Sequence, residues 1–156
     1  YWLSGMRSKI GLTTEDILDQ ELINDLLKLM EEGQADFTLV FRRLSQTLQG
    51  DRDAVRNLFK EPDAFNAWAI RWQKRLEKED ILAETTAQSM DRVNPIYIPR
   101  NHKVEEALVA AVNQDMTPFT KLLEVVIQPF DEVAGNEAYA EPAPATNRRY
   151  QTFCGT

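Results

Sequence analysis

The sequence predicts an all-α protein with six or seven helices joined by short loops. Apolar residues recur every three or four positions, which is the spacing of one face of a helix. No segment alternates apolar and polar residues as a half-buried strand does. Glycines and prolines fall between the apolar segments and mark their ends. No repeat of about 34 to 40 residues is present, so a helical solenoid is not expected.

Two amphipathic helices are predicted before residue 51. The first follows Thr13-Thr14-Glu15-Asp16, interpreted as a cap with early carboxylates, and ends at Gly33. The second begins after Asp36 as its cap and ends at Gly50. Their apolar stripes are Leu22, Ile23, Leu26, Leu27, Leu29 and Met30 in the first helix, and Phe37, Val40, Phe41, Leu44 and Leu48 in the second.

Three further helices are predicted between residues 51 and 93. Asp51 is placed to cap a short third segment, and Pro62 stands where the first position of a fourth helix tolerates a missing N–H. A fifth helix is expected over residues 83–93. The apolar residues are Val55, Leu58 and Phe59 in the third segment and Phe65, Trp68, Trp72 and Leu76 in the fourth.

The last helices are predicted after a stiff, extended connector at residues 94–99, whose two prolines disfavour helical geometry in the residues before them. Asn101 is placed to cap a sixth helix. Thr117 and Pro118 are placed as the cap and the first position of a seventh helix, which runs until Pro129. The predicted stripes are Val104, Leu108, Ala111 and Val112, then Phe119, Leu122, Leu123, Val126 and Ile127. We therefore expect a helical domain at residues 1–130 and an irregular tail at 131–156, ordered only where it docks.

Composition and charge exclude several classes of protein. The 156 residues carry 18 Lys and Arg against 25 Asp and Glu, so a basic nucleic-acid-binding surface is not expected. No apolar run approaches the roughly 18 to 20 residues that span a bilayer, and no membrane partner is expected. The single cysteine excludes a disulfide within the chain and favours a cytoplasmic protein. The apolar start Tyr1-Trp2-Leu3 indicates a fragment of a longer protein.

Nucleotide-binding and metal-binding motifs are not found in the sequence. The six glycines never cluster, so neither G-x-G-x-x-G nor G-x-x-x-x-G-K can be written. One histidine and one cysteine do not supply the ligands of a usual zinc site. Asp16, Asp19 and Glu21 lack the glycine and the twelfth-position glutamate of a calcium loop. We interpret these three acids as the polar side of the first helix.

Several other polar residues receive structural interpretations. The acidic pairs Glu15-Asp16, Glu31-Glu32 and Glu105-Glu106 are expected in capping or solvated positions rather than in the buried positions that acid–base catalysis requires. His102 is expected to pack or hydrogen-bond near a helix start. A catalytic pair of His102 and Cys154 is disfavoured, because no local signature accompanies the cysteine.

The aromatic residues of the fourth helix allow two interpretations. Phe65, Trp68 and Trp72 lie beside three cations, as in platforms on which single-stranded nucleic acids stack. Aromatic residues at helical spacing are more typical of a core, and the net charge of −7 opposes phosphate binding. The three cations are Arg71, Lys74 and Arg75. We predict a core position for the stripe.

Cys154 is the one candidate for reactive chemistry. It lies two residues from the last residue, in Thr152–Thr156, where an accessible thiol with a lowered pKa would be reactive. An inert terminal cysteine is the alternative.

Four stretches of the sequence resemble the selenoprotein O (SelO, YdiU, UPF0061) family. Met90–Leu108, MDRVNPIYIPRNHKVEEAL, is similar to the family signature NPxxIPRNHxVEEAL. Met6–Leu12, Ala35–Leu44 and the ending Tyr150–Thr156 also agree, in the same order along the chain. The resemblance therefore extends over essentially the whole sequence.

The resemblance implies the fold and activity of a longer parent protein. Members of this family resemble protein kinases in fold, bind ATP with Mg²⁺ or Mn²⁺, and transfer AMP to hydroxyl side chains of Ser, Thr or Tyr in proteins. Their ATP-binding and metal-binding residues lie upstream of the region that matches this sequence. We therefore expect no catalytic, cofactor-binding or metal-binding residue in this chain, whose partners would be the upstream kinase-like lobe and the parent's protein substrates.

The resemblance also bears on the terminal cysteine. Eukaryotic members have selenocysteine third from the end, many bacterial members have cysteine there, and Cys154 stands at that position. This implies a redox-regulatory thiol that forms a disulfide with an upstream cysteine of the parent. Two alternatives remain open: a non-enzymatic helical module that binds a partner protein, and an independent thiol oxidoreductase, which the lack of a resolving cysteine disfavours.

Overall fold

The computed structural model describes residues 1–144, and helices are the only regular secondary structure in that stretch. The predicted all-α class is confirmed. The helices are α1 (Trp2–Lys9), α2 (Asp19–Gly33), α3 (Phe37–Leu48), α4 (Asp53–Arg56), α5 (Pro62–Leu76), a 3-10 helix (Glu77–Glu79), α6 (Ala83–Asp91), α7 (Asn101–Val112), α8 (Thr117–Val126) and α9 (Glu137–Ala140).

The chain divides into two compact units, Tyr1–Pro95 and Ile96–Thr156. We call them the first and second unit, and the second is described as far as residue 144. The sequence-based division into a domain at 1–130 and a tail at 131–156 stays a prediction. Within residues 1–144 no helix combines the length and the apolar character needed to cross a membrane.

Local sequence signals explain where several helices of the first unit begin. The Asp36 side chain accepts a hydrogen bond of 2.9 Å from the Leu39 N–H, as an N-cap does at the start of α3. Pro62 occupies the first turn of α5, where a missing N–H costs nothing. Asp51 accepts the N–H groups of Asp53 and Ala54 at the start of α4. The starts of α3 and α5 agree with the sequence prediction, whereas the N-cap of α4 is Arg52 rather than the predicted Asp51.

Two features of the N-terminal region differ from prediction. Helix α1 was not predicted, because only Met6 within it is fully buried and the helical pattern is therefore weak. The predicted cap at Thr13-Thr14 is wrong, since α2 begins at Asp19 and its N-cap, Leu18, makes no side-chain cap bond. Thr13 and Thr14 instead bind a carboxylate that is distant in sequence, on Glu79.

The core of the first unit is aromatic and includes the predicted stripe. Trp68 and Trp72 stack with ring centroids 5.5 Å apart, and Phe65 packs beside Trp68. Each buried indole N–H has an acceptor at 2.8 Å: the Leu22 carbonyl for Trp68 and the Ile10 carbonyl for Trp72. The indole bonds link α5 to α2 and to the end of α1. The core position predicted for the stripe is confirmed.

The second unit is built on the antiparallel pair α7 and α8 and on the segments around it. The connector is not helical, as predicted, and the N–H groups of Ile96 and Tyr97 both donate to the Pro129 carbonyl. The Tyr97 hydroxyl exchanges hydrogen bonds with the backbone of Val133, and Arg100 donates to the Ala140 carbonyl at 2.8 Å. The described part of the predicted tail is thus held in place, and it includes α9.

Two predicted caps in the second unit are wrong, and one predicted stripe is largely exposed. Arg100, not Asn101, is the N-cap of α7, and Thr117 is the first residue of α8 rather than its cap. The predicted stripe of α7 is largely uncovered, because Leu108 and Val112 are exposed and only Ala107 of that helix is buried.

Candidate functional site

A buried cluster of charged residues lies in the first unit. It joins Arg7 of α1, Asp19 at the start of α2, Arg75 near the end of α5 and Glu79 of the 3-10 helix. We call these four residues the ion cluster. Asp19, Arg75 and Glu79 are buried, while Arg7 is half-buried. Such a cluster is a candidate site, because perturbed titratable groups gather at functional positions.

Asp19 is the centre of the ion cluster. Its carboxylate accepts the Nε–H groups of Arg7 and Arg75, each at 2.7 Å, and the backbone N–H of Asp16 at 2.9 Å. Burial alone would raise the pKa of Asp19, but the hydrogen bonds from Arg75, Asp16 and Arg7 outweigh burial and lower this pKa. Asp19 is therefore a stable anion at neutral pH.

Glu79 is held in the same way from the other side of the ion cluster. Its carboxylate accepts both the N–H and the hydroxyl of Thr13 and of Thr14, and also a guanidinium N–H of Arg75 at 2.6 Å. Burial raises the pKa of Glu79, but the hydrogen bonds from Thr13 and Thr14 outweigh it and hold the pKa at about 2. Arg75 in turn has a raised pKa, since bonds to both carboxylates outweigh its burial.

The ion cluster acts as a structural clamp, which means that it holds parts of the chain together and does not catalyse a reaction. Both buried carboxylates are saturated by donors and remain ionised near pH 7, so neither is poised to exchange a proton in catalysis. The bonds to Thr13 and Thr14 fix the loop between α1 and α2 against the end of α5. Since Asp19 is buried, interpreting it as the polar side of the first helix was wrong.

A groove of about 260 Å³ adjoins the ion cluster. It is lined by Asp16, Asp19 and Glu21 and by cations of α5 and of the 3-10 helix. Besides Arg75, which pairs with Asp19 in the ion cluster, two cations at the groove are paired: Arg71 with Asp25 at 2.5 Å, and Lys78 with Asp16 at 2.9 Å. Arg71 and Lys74 thus lie on the solvent side of α5, whereas Arg75 is buried in the ion cluster and the tryptophans lie in the core.

A second cleft, of about 430 Å³, lies between the α1 region and α6. Hydroxyl groups line much of it, but those of Ser8 and Ser89 donate to backbone carbonyls one turn earlier in their own helices. Gly11 has a positive φ of 80°, and a Cβ there would lie 2.6 Å from a methyl group of Thr86. Glycine at position 11 therefore permits the loop to approach α6 closely.

The other candidate residues are dispersed. His102 is half-buried in the first turn of α7 and lines a surface cleft with Glu105 and Glu106. Glu31 and Glu32 are exposed at the end of α2. Within residues 1–144 no group of three or more His, Cys, Asp or Glu is arranged to hold a metal ion. Cys154 lies outside the described residues, so its predicted role stays a prediction.

Sequence reasoning missed the ion cluster as a unit. Arg75 and Glu79 are four residues apart on successive turns, which was a usable signal for their pairing. Their contacts with Asp19 and Thr14 connect residues that are 56 to 65 positions apart, and no local sequence pattern predicts such contacts.

Comparisons with known proteins agree with the sequence resemblance. The family model described as "Protein adenylyltransferase SelO" matches residues 1–127. Among curated relatives, the protein nucleotidyltransferase YdiU of Rhizobium meliloti (strain 1021) is 44% identical to this chain, and that of Maridesulfovibrio salexigens is 43% identical. The corresponding protein of Rhizobium leguminosarum bv. trifolii is 48% identical. Each comparison covers 100% of this chain but 32% of the relative, so the chain spans about a third of their length.

Proposed function

The chain belongs to the SelO family of protein adenylyltransferases, and we propose that it is the C-terminal helical part of an enzyme that transfers AMP from ATP to hydroxyl groups of proteins. The observation that carries the proposal is the match of the full chain, at 43–48% identity, to nucleotidyltransferases three times as long. The acceptors we propose are Ser, Thr and Tyr side chains. In the transfer a hydroxyl oxygen bonds to the α-phosphorus of ATP, and pyrophosphate leaves.

We place ATP and its Mg²⁺ or Mn²⁺ ion in the preceding, kinase-like part of the parent. The residues of this chain do not fit ATP or the metal ion. The buried carboxylates of Asp19 and Glu79 are occupied by arginine, hydroxyl and backbone donors, so they offer no oxygen to a cation. The dispersed glycines form no phosphate loop. The chain alone is therefore proposed to be catalytically silent and to support the catalytic lobe.

Cys154 is proposed as a redox-regulatory thiol. In the parent it would form a disulfide with an upstream cysteine, and the two thiols would pass two electrons and two protons to an oxidant such as a glutathione disulfide. Such a bond would tether the tail to the catalytic part and lower its activity. The lone cysteine of this chain suits a reducing compartment such as the cytoplasm, where the bond would be transient.

A second candidate function is a helical module that binds another protein without catalysis. The observation that favours it is the row of exposed apolar residues on α7 and α8, including Leu108, Phe119 and Leu123. The two candidates differ in one respect: an interaction module would retain its role in a parent that transfers no AMP.

The test is transfer of labelled AMP from ATP to protein, with Mg²⁺ or Mn²⁺, by the full-length parent and by this chain. We expect labelling by the parent alone, and higher labelling with reductant than after oxidation. In a full-length Cys154→Ser variant the redox effect should disappear while reduced activity stays unchanged. If the parent transfers no AMP with either metal, the adenylyltransferase proposal is rejected in favour of the interaction module. Unchanged redox sensitivity in the variant would reject the role of Cys154.

A further inference from the structure

An apolar groove lies between α7 and α8 of the second unit. Its volume is about 210 Å³, and it is lined by apolar side chains of both helices and of Pro99. Three of the lining residues are markedly exposed: Leu108 at 56%, Phe119 at 43% and Leu123 at 47%. Helices of a complete domain turn such residues inward, because burying apolar surface is the main favourable contribution to folding.

The exposed apolar surface continues along both helices from the groove. Val112 follows Leu108 by one helical turn, and Ile127 follows Leu123 by one turn, and both are exposed. The groove with these two flanking residues is called the hairpin face below. Contiguous apolar patches of this kind mark contact sites on soluble proteins.

The opposite side of α7 has a different character. His102, Glu105 and Glu106 line the surface cleft there, and Val109 is the exposed apolar residue among them. Helix α7 thus has one apolar side toward the groove and one side with charged residues. This asymmetry indicates that the groove side of α7, rather than the cleft side, is the surface that contacts another part of a protein.

The occupant of the hairpin face follows from the length of the parent. This chain covers 32% of the length of its relatives. As the C-terminal part of such a parent, which is the proposed function, it would be preceded by about two thirds of the polypeptide. We infer that the hairpin face docks onto this preceding part of the same polypeptide, which covers Leu108, Phe119 and Leu123 with apolar side chains of its own. The inference rests on the proposed function in one respect, since it takes the preceding part as the catalytic part of the parent.

Two other occupants fit less well. Residues 145–156 contain only two large apolar side chains, Tyr150 and Phe153, alongside two arginines, which is too little apolar surface for the hairpin face. A second copy of the chain would have to give up translational and rotational freedom on binding. A segment of the same polypeptide is already present at high effective concentration.

Cysteine labelling of the full-length parent tests the inference. Leu108→Cys and Val109→Cys are introduced separately into a Cys154→Ser parent, and maleimide labelling of the α7 peptide is followed by mass spectrometry in native and denaturing buffer. The two positions are adjacent and similarly exposed in this chain, but only Leu108 lies in the groove. We expect labelling at position 108 to be slowed on the order of tenfold or more in native buffer, and labelling at 109 to be little changed.

The other outcomes overturn the inference in distinct ways. Fast native labelling at both positions would show an open face. Protection at 108 that disappears when the parent ends at residue 144 would assign the face to the tail. Protection that grows with protein concentration would assign it to a second copy. Labelling does not depend on AMP transfer, so a protected position 108 in an inactive parent would reject the proposed function and leave the docking intact.

Discussion

The first unit and the second unit differ in how far they bury their own apolar residues. The first contains a continuous core in which the largest side chains, such as Trp68, Trp72 and Phe41, are almost completely inaccessible. The α7–α8 pair of the second unit buries little more than Ala107, Leu122 and Val125. Nine large apolar side chains are exposed in the first unit, and nine are exposed in the described part of the second unit, which is about half as long.

This difference supports the inference that other parts of the parent complete the second unit, whereas the first unit has a core of its own. The first unit has an aromatic core and a buried ion cluster that ties its loop to its helices. The second unit is held by backbone contacts around Tyr97 and Arg100 and exposes an apolar hairpin face. The stability of the first unit should therefore depend on contacts within it, whereas the second should gain stability from the rest of the parent.

The largest expected effect is on the core of the first unit. Trp72→Ala removes a fully buried indole and its bond to the Ile10 carbonyl, and should lower the free energy of unfolding by about 4 kcal/mol. Trp2→Ala is the matched control, because Trp2 is more than half exposed and its removal should cost under about 1 kcal/mol. Urea unfolding followed by circular dichroism measures both. Equal effects would contradict a core centred on α5.

The next effect concerns the ion cluster. Arg75→Met leaves the buried Asp19 and Glu79 carboxylates without their shared cation, which should cost about 3 to 4 kcal/mol. Arg71→Met removes an exposed pair with Asp25 and should cost under about 1 kcal/mol. A similar loss for both variants in urea unfolding would show that the ion cluster is not a clamp.

The pH dependence of stability tests the same cluster. The pKa of Glu79 is about 2 in the folded chain and about 4.3 in an unfolded one, so its contribution of roughly 3 kcal/mol is complete above about pH 5 and is lost as pH falls toward 2. Asp19 acts in the same direction, since its pKa is also lowered. Unfolding measured from pH 6 to pH 2 should show this loss, with a shallower slope in Glu79→Gln. An identical slope in the variant would refute the assignment.

The smallest effect distinguishes the two faces of α8. In this chain Leu122→Ala should cost about 2 kcal/mol, because Leu122 is buried, and Leu123→Ala under about 0.5 kcal/mol, because Leu123 is exposed. In the parent the two losses should become similar, since docking buries Leu123. Thermal unfolding of both variants in both proteins gives the comparison. If Leu123→Ala leaves the stability of the parent unchanged, that result would argue against docking.

Local chemistry explains which parts of the fold the sequence predicted. Asp36 and Pro62 act within their own first helical turn, so the starts of α3 and α5 were predictable. The aromatic spacing of α5 likewise predicted its buried face. Helix α1 was missed because its apolar pattern is weak.

Contacts between distant residues explain what the sequence did not predict. Thr13 and Thr14 had the residue types of a helix cap, but the Glu79 carboxylate, 65 or 66 positions away, offers them charged acceptors. The pattern of α7 predicted a stripe that includes Leu108 and Val112, but both residues are exposed. Under the docking inference, chain outside this sequence covers Leu108, and no pattern within the sequence could predict that. Recognition of the family came from whole stretches of sequence rather than from any one site.

Hydrogen exchange on the parent and on this chain tests most directly whether the second unit is completed by the preceding part. Amides in the core helices α3 and α5 should exchange at similar rates in both proteins, because the first unit supplies its own core. Amides of α7 and α8 should exchange at least about tenfold more slowly in the parent than in this chain. Equal rates for α7 and α8 in the two proteins would contradict the account.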